Sequence, residues 1–205
     1  MAILANRYGT DKLWLHHYID EYERHFERLR GEPIKLLEIG VGGYNVPGRG
    51  GHSLRMWSDY FVNGEITGID IEDKTALSSG NITALVMDQT DVASLELLSG
   101  AAGPFDIVVD DGSHVQEHIM ISFCTLFPLM PSGGIYVIED LACAYNPFYA
   151  GGPDLPVPNS IGLIQRLIDG LHWEFWGGRH TGPTPIDRMV KSVHVSKELA
   201  FIYRK

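Results

Sequence analysis

Two short apolar runs in the middle of the chain end abruptly in acids. Residues 105–114 read FDIVVDDGSH and residues 134–140 read GIYVIED. Runs of this kind are typical of buried parallel strands, whose carboxyl ends open into a site. If the strands are neighbours, the carboxylates of Asp111, Glu139 and Asp140 converge. Because close carboxylates repel each other in a partly dry cleft, the pattern predicts a hard cation, Mg²⁺ or Ca²⁺, bound by oxygens alone. Under the alternative interpretation, Asp111 caps the next helix and the other two are ordinary loop acids.

The composition favours a single globular domain that spans residues 1–205. The chain is 44% hydrophobic, and its 26 acidic and 16 basic side chains give a formal charge of -10. This charge disfavours a nucleic-acid backbone or an anionic membrane as the main partner and favours a neutral small molecule. Cys124 and Cys143 do not have the spacing of metal ligands, and we therefore expect them to be reduced thiols in a cytoplasmic protein. The amino-terminal residues predict no signal segment, and no run approaches the ~20 apolar residues of a membrane span.

Hydrophobic periodicity predicts an α/β fold. Asp11 is expected to cap a helix that runs to about Arg30, with apolar residues at helical spacing. Five buried strands are predicted at 34–39, 66–71, 82–86, 105–109 and 135–138. Helices are predicted at 53–61, 92–98 and 115–129. Strands alternating with helices indicate a mostly parallel sheet, and residues 190–195 and 199–203 predict an antiparallel hairpin at its end. Ligands of such sheets bind beyond the carboxyl ends of the strands, where strand order reverses.

The first strand runs into a glycine turn that a ligand can approach closely. The turn has Gly40 and Gly42, but Asn45 stands where a dinucleotide fingerprint needs glycine or alanine. Glu38 places an acid that suits a cationic amino group. At the ends of the next two strands, Asp70 can bind a ribose diol, and Asp88 with Gln89 lies where an adenine would.

Taken together, these motifs resemble those of a known family. Residues 38–44, 68–70 and 88–89 look like the S-adenosylmethionine site of class I methyltransferases, which have a Rossmann-like fold. Residues 8–12, 50–57, 110–114 and 138–140 look like the Mg²⁺-dependent sugar O-methyltransferases of the mycinamicin and macrocin type. The resemblance implies that S-adenosylmethionine is bound by Thr10, Glu38, Gly40, Gly42, Tyr44, Ser53, Asp70, Asp88, Gln89 and Asp111. It also implies that Asp111, Glu139 and Asp140 bind Mg²⁺ and that His114 accepts the proton.

One departure from the macrolide-sugar enzymes concerns length. They carry an additional amino-terminal domain that we do not expect here. The chain is closer in this respect to the mycobacterial enzyme that methylates the 1-hydroxyl of a 3-O-methylmannoside at the start of methylmannose polysaccharide synthesis. The resemblance implies a small sugar or glycoside acceptor and a homo-oligomer, expected to be a dimer.

The reaction implied is an in-line methyl transfer to a sugar hydroxyl, which is a poor nucleophile at neutral pH. A divalent cation bound to two sugar oxygens would lower the hydroxyl pKa and fix the line of attack. Histidine suits the removal of the proton because its ordinary pKa lies near neutrality. His118, one helical turn beyond His114, is the competing candidate for the base.

Two aromatic groups are candidate acceptor contacts. The loop from Leu141 to Ser160 is long and proline-rich, as lids beside a site often are. Tyr145 and Tyr149 are predicted to form walls of the acceptor site, with anchoring of the loop as an equal alternative. A second cluster consists of Trp173, Trp176, Arg179 and His180. The preferred interpretation is that it packs within the fold or contacts another subunit, and the alternative is that it binds the acceptor.

Two other functions fit parts of the pattern. A catechol-type O-methyltransferase would use similar metal geometry but favour a small flat pocket. A nucleotide-sensing Rossmann module without catalysis would make the acids structural.

Overall fold

The computed structural model describes residues 1–46, 48–155, 158–178 and 182–205. Within these residues, seven strands form one sheet with the order β3-β2-β1-β4-β5-β7-β6. The strands are β1 (Lys35–Ile39), β2 (Glu65–Asp70), β3 (Ile82–Val86), β4 (Ile107–Asp110), β5 (Ile135–Ile138), β6 (Val190–Ser196) and β7 (Leu199–Arg204). β1 to β5 pair in parallel, whereas β7 runs antiparallel to both β5 and β6. The predicted parallel sheet with a carboxyl-terminal antiparallel hairpin is confirmed.

Helices cover both faces of this sheet. They are α1 (Ala2–Tyr8), α2 (Asp11–Trp14), α3 (Ile19–Phe26), α4 (His52–Tyr60), α5 (Val92–Ala101), α6 (Gln116–Leu126), α7 (Ser160–Gly170) and α8 (Pro185–Met189). Side chains alternate along the strands, so the strands inside the sheet contribute to two cores, one on each face. Leu36 belongs to the core that contains Trp57 of α4, whereas Leu37 belongs to the core that contains Phe123 of α6. The described residues contain no helix that is both long and apolar enough to cross a membrane.

The single helix predicted from Asp11 to Arg30 is wrong. α2 stops at Trp14 and α3 begins at Ile19, and Thr10 rather than Asp11 is the N-cap of α2. His17, between them, has φ +58°, a left-handed conformation that a right-handed helix does not accommodate. Leu15, one of the apolar residues whose helical spacing supported that prediction, is 70% exposed. The chain turns here because polar side chains of this segment bind the acids at the strand ends, as shown below.

The strand order reverses between β1 and β4. β1 is followed by β2 on one side, and β4 is followed by β5 on the other, so the loops after β1 and β4 diverge and leave a crevice. The two loops touch at Gly40, where a Cβ atom would lie 2.1 Å from the backbone oxygen of Asp111. A glycine is required at this position because Gly40 also has φ +85°.

Candidate active site

A cavity of about 760 Å³ occupies this crevice along the carboxyl edge of the sheet. Most of the residues predicted to bind a ligand line it: Gly40, Gly42, Tyr44, Asp70, Asp88, Gln89, Asp111, His114, Glu139, Asp140 and Tyr149. A smaller cavity of about 150 Å³ adjoins it, shares Gly40, Gly42 and Asp111 with it, and is lined by Thr10 and Ser53 as well. Glu38 and Tyr145 line neither of these two cavities.

Lys12 lies at the centre of the acid cluster. Its side chain is 1% exposed, and its Nζ atom is 2.6 Å from Asp111 Oδ2 and 2.7 Å from Glu139 Oε1. The same Nζ is 3.5 Å from Glu38 Oε1. One ammonium therefore joins carboxylates from the ends of β1, β4 and β5. Sequence reasoning did not assign a role to Lys12, although residues 8–12 stand among the motifs that carry the family resemblance.

The electrostatics of the cluster follow from burial. Burial alone would lower the pKa of Lys12, but the carboxylates of Asp111, Glu139 and Glu38 outweigh it and raise that pKa well above 10.5. Burial, together with the neighbouring charge of Asp111, raises the pKa of Glu139 well above 4.5, against the opposing effect of Lys12. Three acidic side chains therefore face one buried ammonium, and burial disfavours the charged form of two of them, Glu38 and Glu139.

Asp140 joins the acid cluster to two histidines. Its Oδ2 atom is 3.4 Å from Nε2 of His114, and its Oδ1 atom is 3.3 Å from Nδ1 of His16. The hydroxyl of Tyr18 donates to Oδ1 at 2.7 Å, and that of Tyr22 donates to Glu139 in the same way. The segment from Lys12 to Tyr22 therefore supplies four polar side chains to the strand-end acids.

Two of the three acids predicted to bind a divalent cation, Asp111 and Asp140, lie together with His114 rather than with Glu139. Asp111, His114 and Asp140 offer one atom each within 4.8 Å of one another, whereas Glu139 is bound by Lys12 and Tyr22. Asp111 accepts Lys12 through Oδ2, and its Oδ1 lies 4.0 Å from His114 Nε2. Asp111 and Asp140 supply the hard oxygen donors that fit Mg²⁺, whereas His114 offers a nitrogen. The alternative that Asp111 caps α6 is wrong, because the N-cap is Val115 and no side chain caps this helix.

His114 lies just before α6, next to its N-cap residue Val115. It has φ +58°, and its side chain is 20% exposed and meets the ring of Tyr149 edge-on at 5.7 Å. His118 also lines the cavity, but its Nδ1 is hydrogen-bonded to Ser113 Oγ at 2.8 Å. Three described histidines line the cavity, His16, His114 and His118. His16 lies 3.3 Å from Asp140, whereas His114 lies within 4.0 Å of both Asp111 and Asp140.

The glycine turn is supported by Asp70. Its Oδ2 accepts the backbone N–H of Val41 at 2.9 Å, and its Oδ1 accepts that of Glu72 at 2.9 Å. Each carboxylate oxygen has a second lone pair, so Asp70 can still accept hydroxyl donors from the cavity. The side chain thus fixes the turn and faces a ligand at once.

Asp88 and Gln89 have different roles in the structure. Asp88 accepts the backbone N–H and the hydroxyl of Thr90, and these bonds lower its pKa. Gln89 accepts the backbone N–H of Ser113 at 2.8 Å, so it ties the end of β3 to the loop after β4. Both line the cavity at the end of β3, as predicted for an adenine site.

Glu38 is fully buried behind the cavity wall. It accepts hydrogen bonds from Ser53 Oγ at 2.7 Å and Trp57 Nε1 at 3.2 Å, both from α4. Burial raises its pKa, and Lys12 opposes that rise. The cationic group beside Glu38 is therefore the ammonium of Lys12. A contact between Glu38 and the amino group of a ligand stays a prediction.

The predicted acceptor aromatics separate in the structure. Tyr149 lines the cavity beside His114, whereas Tyr145 is 50% exposed and lies outside it. Trp173 stacks on Arg188 and Trp176 on Arg166, each with 4.9 Å between the guanidinium carbon and the ring centroid. Neither tryptophan lines the cavity, and Arg179 and His180 lie outside the described residues.

Comparison with known proteins identifies relatives of the whole chain. No family model matches it. It is 45% identical over 206 residues to the 8-demethyl-8-alpha-L-rhamnosyl tetracenomycin-C 2'-O-methyltransferase of Streptomyces olivaceus, covering 100% of this chain and 54% of the relative. It is 47% identical over 204 residues to the demethylmacrocin O-methyltransferase of Streptomyces fradiae, covering 97% and 51%.

A solved structure gives the same result. The MycE methyltransferase of the mycinamycin biosynthetic pathway, in complex with Mg, S-adenosylhomocysteine and mycinamycin VI, matches with a TM-score of 0.93 and 41% identity. That match covers 99% of this chain and 53% of MycE. The chain spans about half the length of these relatives. It is therefore a homologue of the S-adenosylmethionine-dependent sugar O-methyltransferases of the mycinamicin, macrocin and tetracenomycin type, and over the half that it matches it has their class I methyltransferase fold.

Proposed function

We propose that the chain transfers the methyl group of S-adenosylmethionine to a hydroxyl of a glycoside in the presence of Mg²⁺. The observation that carries the proposal is the single cavity that joins the glycine turn, Asp70 and Asp88 at one end to Asp111, His114 and Asp140 at the other. A methyl donor and an acceptor hydroxyl need such adjacent half-sites, because proximity and alignment supply much of the rate. The names of the relatives and the ligands of MycE support the same activity.

The donor half of the cavity consists of the ends of β1, β2 and β3. Gly40 and Gly42 let the ligand approach the backbone, Asp70 accepts the ribose hydroxyls, and Asp88 borders the adenine. Thr10 and Ser53 line the smaller cavity beside Gly40 and complete the donor half. Tyr44, 89% exposed, stands at its mouth.

The acceptor half consists of the acids and His114. When bound there, Mg²⁺ supplies Lewis acidity that lowers the pKa of a coordinated hydroxyl. Asp111 and Asp140 would hold the ion, and Glu139 would contribute from beside Lys12. His114 takes the proton of the hydroxyl, and Tyr149 packs against that histidine. Tyr18 and Tyr22 keep the carboxylates oriented while the substrates come and go.

A binding experiment separates this proposal from a nucleotide-sensing module. The purified chain should bind S-adenosylhomocysteine and not NAD in calorimetric titrations, because Asn45 replaces the last glycine of the dinucleotide fingerprint. Preference for NAD would reject methyl transfer altogether.

The acceptor class is the second part of the test. A mass-spectrometric screen with S-adenosylmethionine and Mg²⁺ should compare macrolide and polyketide glycosides, such as mycinamycin VI, with 3-O-methylmannosides and with a catechol. We expect a glycoside to gain the methyl group and the catechol to gain none. In the narrower form of the proposal the acceptor is the 1-hydroxyl of a 3-O-methylmannoside, supported only by the resemblance described above. The expected homodimer is a separate prediction, which light scattering checks.

Replacing Asp70 with alanine should weaken binding of S-adenosylhomocysteine by about ten- to a hundredfold. Hydrogen bonds from a ribose diol to a carboxylate contribute ~1.5–3 kcal/mol, and Asp70 also holds the N–H of Val41 in the glycine turn. Calorimetry measures the change, with the exposed Glu96→Ala variant as the control. Unchanged affinity in Asp70→Ala would reject the assignment of this acid to the donor half.

A further inference from the structure

Lys74 is a second buried lysine, away from the acids. It follows β2 and is 1% exposed, yet it lines neither cavity. Its Nζ atom donates to the backbone carbonyls of Tyr44 at 2.6 Å and of Val46 at 3.0 Å. Lysine is almost never fully buried without such partners, because desolvating its charge is costly. The ammonium of Lys74 is therefore bound to the middle of the glycine-rich loop after β1.

The loop that Lys74 binds is folded tightly on itself. A Cβ atom on Gly43 would lie 2.3 Å from the backbone of Arg49, and one on Gly50 would lie 2.3 Å from the oxygen of Gly42. Tyr44 has φ +47°, which is strained for a residue with a side chain. Such a loop needs interactions from outside itself to keep this shape.

The same loop forms a wall of the donor half of the cavity. Gly42, Gly43, Tyr44 and Asn45 all line it. The backbone N–H groups of Gly43 and Tyr44 have no hydrogen-bond acceptor among the described residues, whereas the carbonyls of Tyr44 and Val46 are bound by Lys74. Donors left free beside a cavity suit an anionic ligand group, and an ammonium behind the loop favours the same charge.

We propose that Lys74 is a positioning residue for the donor site: by binding two loop carbonyls it holds residues 42–46 in the shape that receives the amino-acid end of an adenosyl amino acid. The inference rests on the proposed function and adds a residue to it. Lys74 touches no ligand itself and acts through the loop. Its loss should therefore affect donor binding more than the chemical step.

The test compares Lys74→Met with Lys74→Arg. The arginine variant keeps a charged donor of similar reach, and Lys35→Met is a matched control, since Lys35 donates to the carbonyl of Gly103 at the opposite end of the sheet. Calorimetric titration with S-adenosylhomocysteine should show about tenfold weaker binding for Lys74→Met, with affinity restored in Lys74→Arg and unchanged in Lys35→Met. In turnover assays, Lys74→Met should raise KM for S-adenosylmethionine and leave kcat near the wild-type value.

The outcomes are distinguishable from failure of the proposed function. If the wild-type chain binds no S-adenosylhomocysteine, the donor site itself is wrong. If the wild type binds it and Lys74→Met binds it equally well, the positioning role is overturned. Where Lys74→Met does not fold, Lys74→Gln takes its place, and the same comparison of affinity decides.

Discussion

Replacing His114 with alanine is expected to lower the turnover number by about 10²–10⁴, the usual cost of losing a positioned general base. His114 lies in the cavity with Nε2 3.4 Å from Asp140 and 4.0 Å from Asp111, where a hydroxyl activated by the acids would lose its proton. Affinity for S-adenosylhomocysteine should not change, because the donor half lies on the other strand ends. Single-turnover kinetics and calorimetry measure the two quantities separately.

Two further measurements determine the role of His114. His118→Ala is the matched control: this histidine lines the same cavity but is bound to Ser113, and its loss should leave turnover nearly unchanged. Titration with Mn²⁺ in place of Mg²⁺ tests whether His114 is a metal ligand instead. If His114→Ala loses metal affinity together with turnover, the histidine binds the ion. If turnover is near normal, it is neither base nor ligand.

Replacing Lys12 with methionine is expected to destabilise the folded chain by about 3–5 kcal/mol, the usual effect of leaving buried charge without its partner. Glu38, Asp111 and Glu139 would then face one another without the ammonium that joins them. Urea unfolding gives the free energy, and Lys197→Met, at a lysine 92% exposed, is the control. Destabilisation no larger than that of the control would contradict the central role of Lys12.

The destabilisation should depend on pH with a definite sign. Burial and Asp111 already raise the pKa of Glu139 above 4.5, and removal of Lys12 raises it further. A group whose pKa is raised in the folded state stabilises the fold below its unfolded pKa and loses that contribution as the pH rises through the folded value. Lys12→Met should therefore lose more stability at neutral pH than near pH 4.5, and Glu139→Gln in the same chain should restore part of it.

The strand ends could be predicted from sequence because each depends on local pattern. The β-branched runs of β4 and β5 and the acids that follow them are adjacent in the chain, and parallel pairing brings Asp111, Glu139 and Asp140 to one edge. Asp70 and Asp88 follow from the same rule. The positions of these acids could be predicted once the strands of the parallel sheet were assigned correctly.

Residues that act through distant contacts could not be predicted in this way. Lys12 is separated by 99 residues from Asp111 and by 127 from Glu139, and its segment has the apolar periodicity of a helix. The tertiary contacts with the acids override that local propensity and break the helix at His17. Lys74 was missed because its partners are backbone carbonyls, which leave no trace in residue types.

Asp110 shows the reverse case, an acid whose role is structural. The motif places two aspartates together, but Asp110 is 2% exposed and accepts hydrogen bonds from Ser122 and Tyr136. Burial raises its pKa. The alternation of side chains along β4 explains the difference, since neighbouring residues point to opposite faces. Only Asp111 therefore reaches the cavity.

The most direct test of the account is transfer of a trideuteriomethyl group from labelled S-adenosylmethionine to a glycoside, followed by mass spectrometry with Mg²⁺ or with excess chelator. We predict that labelled glycoside forms with Mg²⁺ and that no labelled glycoside forms with excess chelator. S-adenosylhomocysteine should bind with the same affinity under the two conditions. Binding in both conditions with equal product in excess chelator would contradict the assignment of Asp111 and Asp140 to a metal site. Binding without labelled product from any glycoside would contradict the proposed activity.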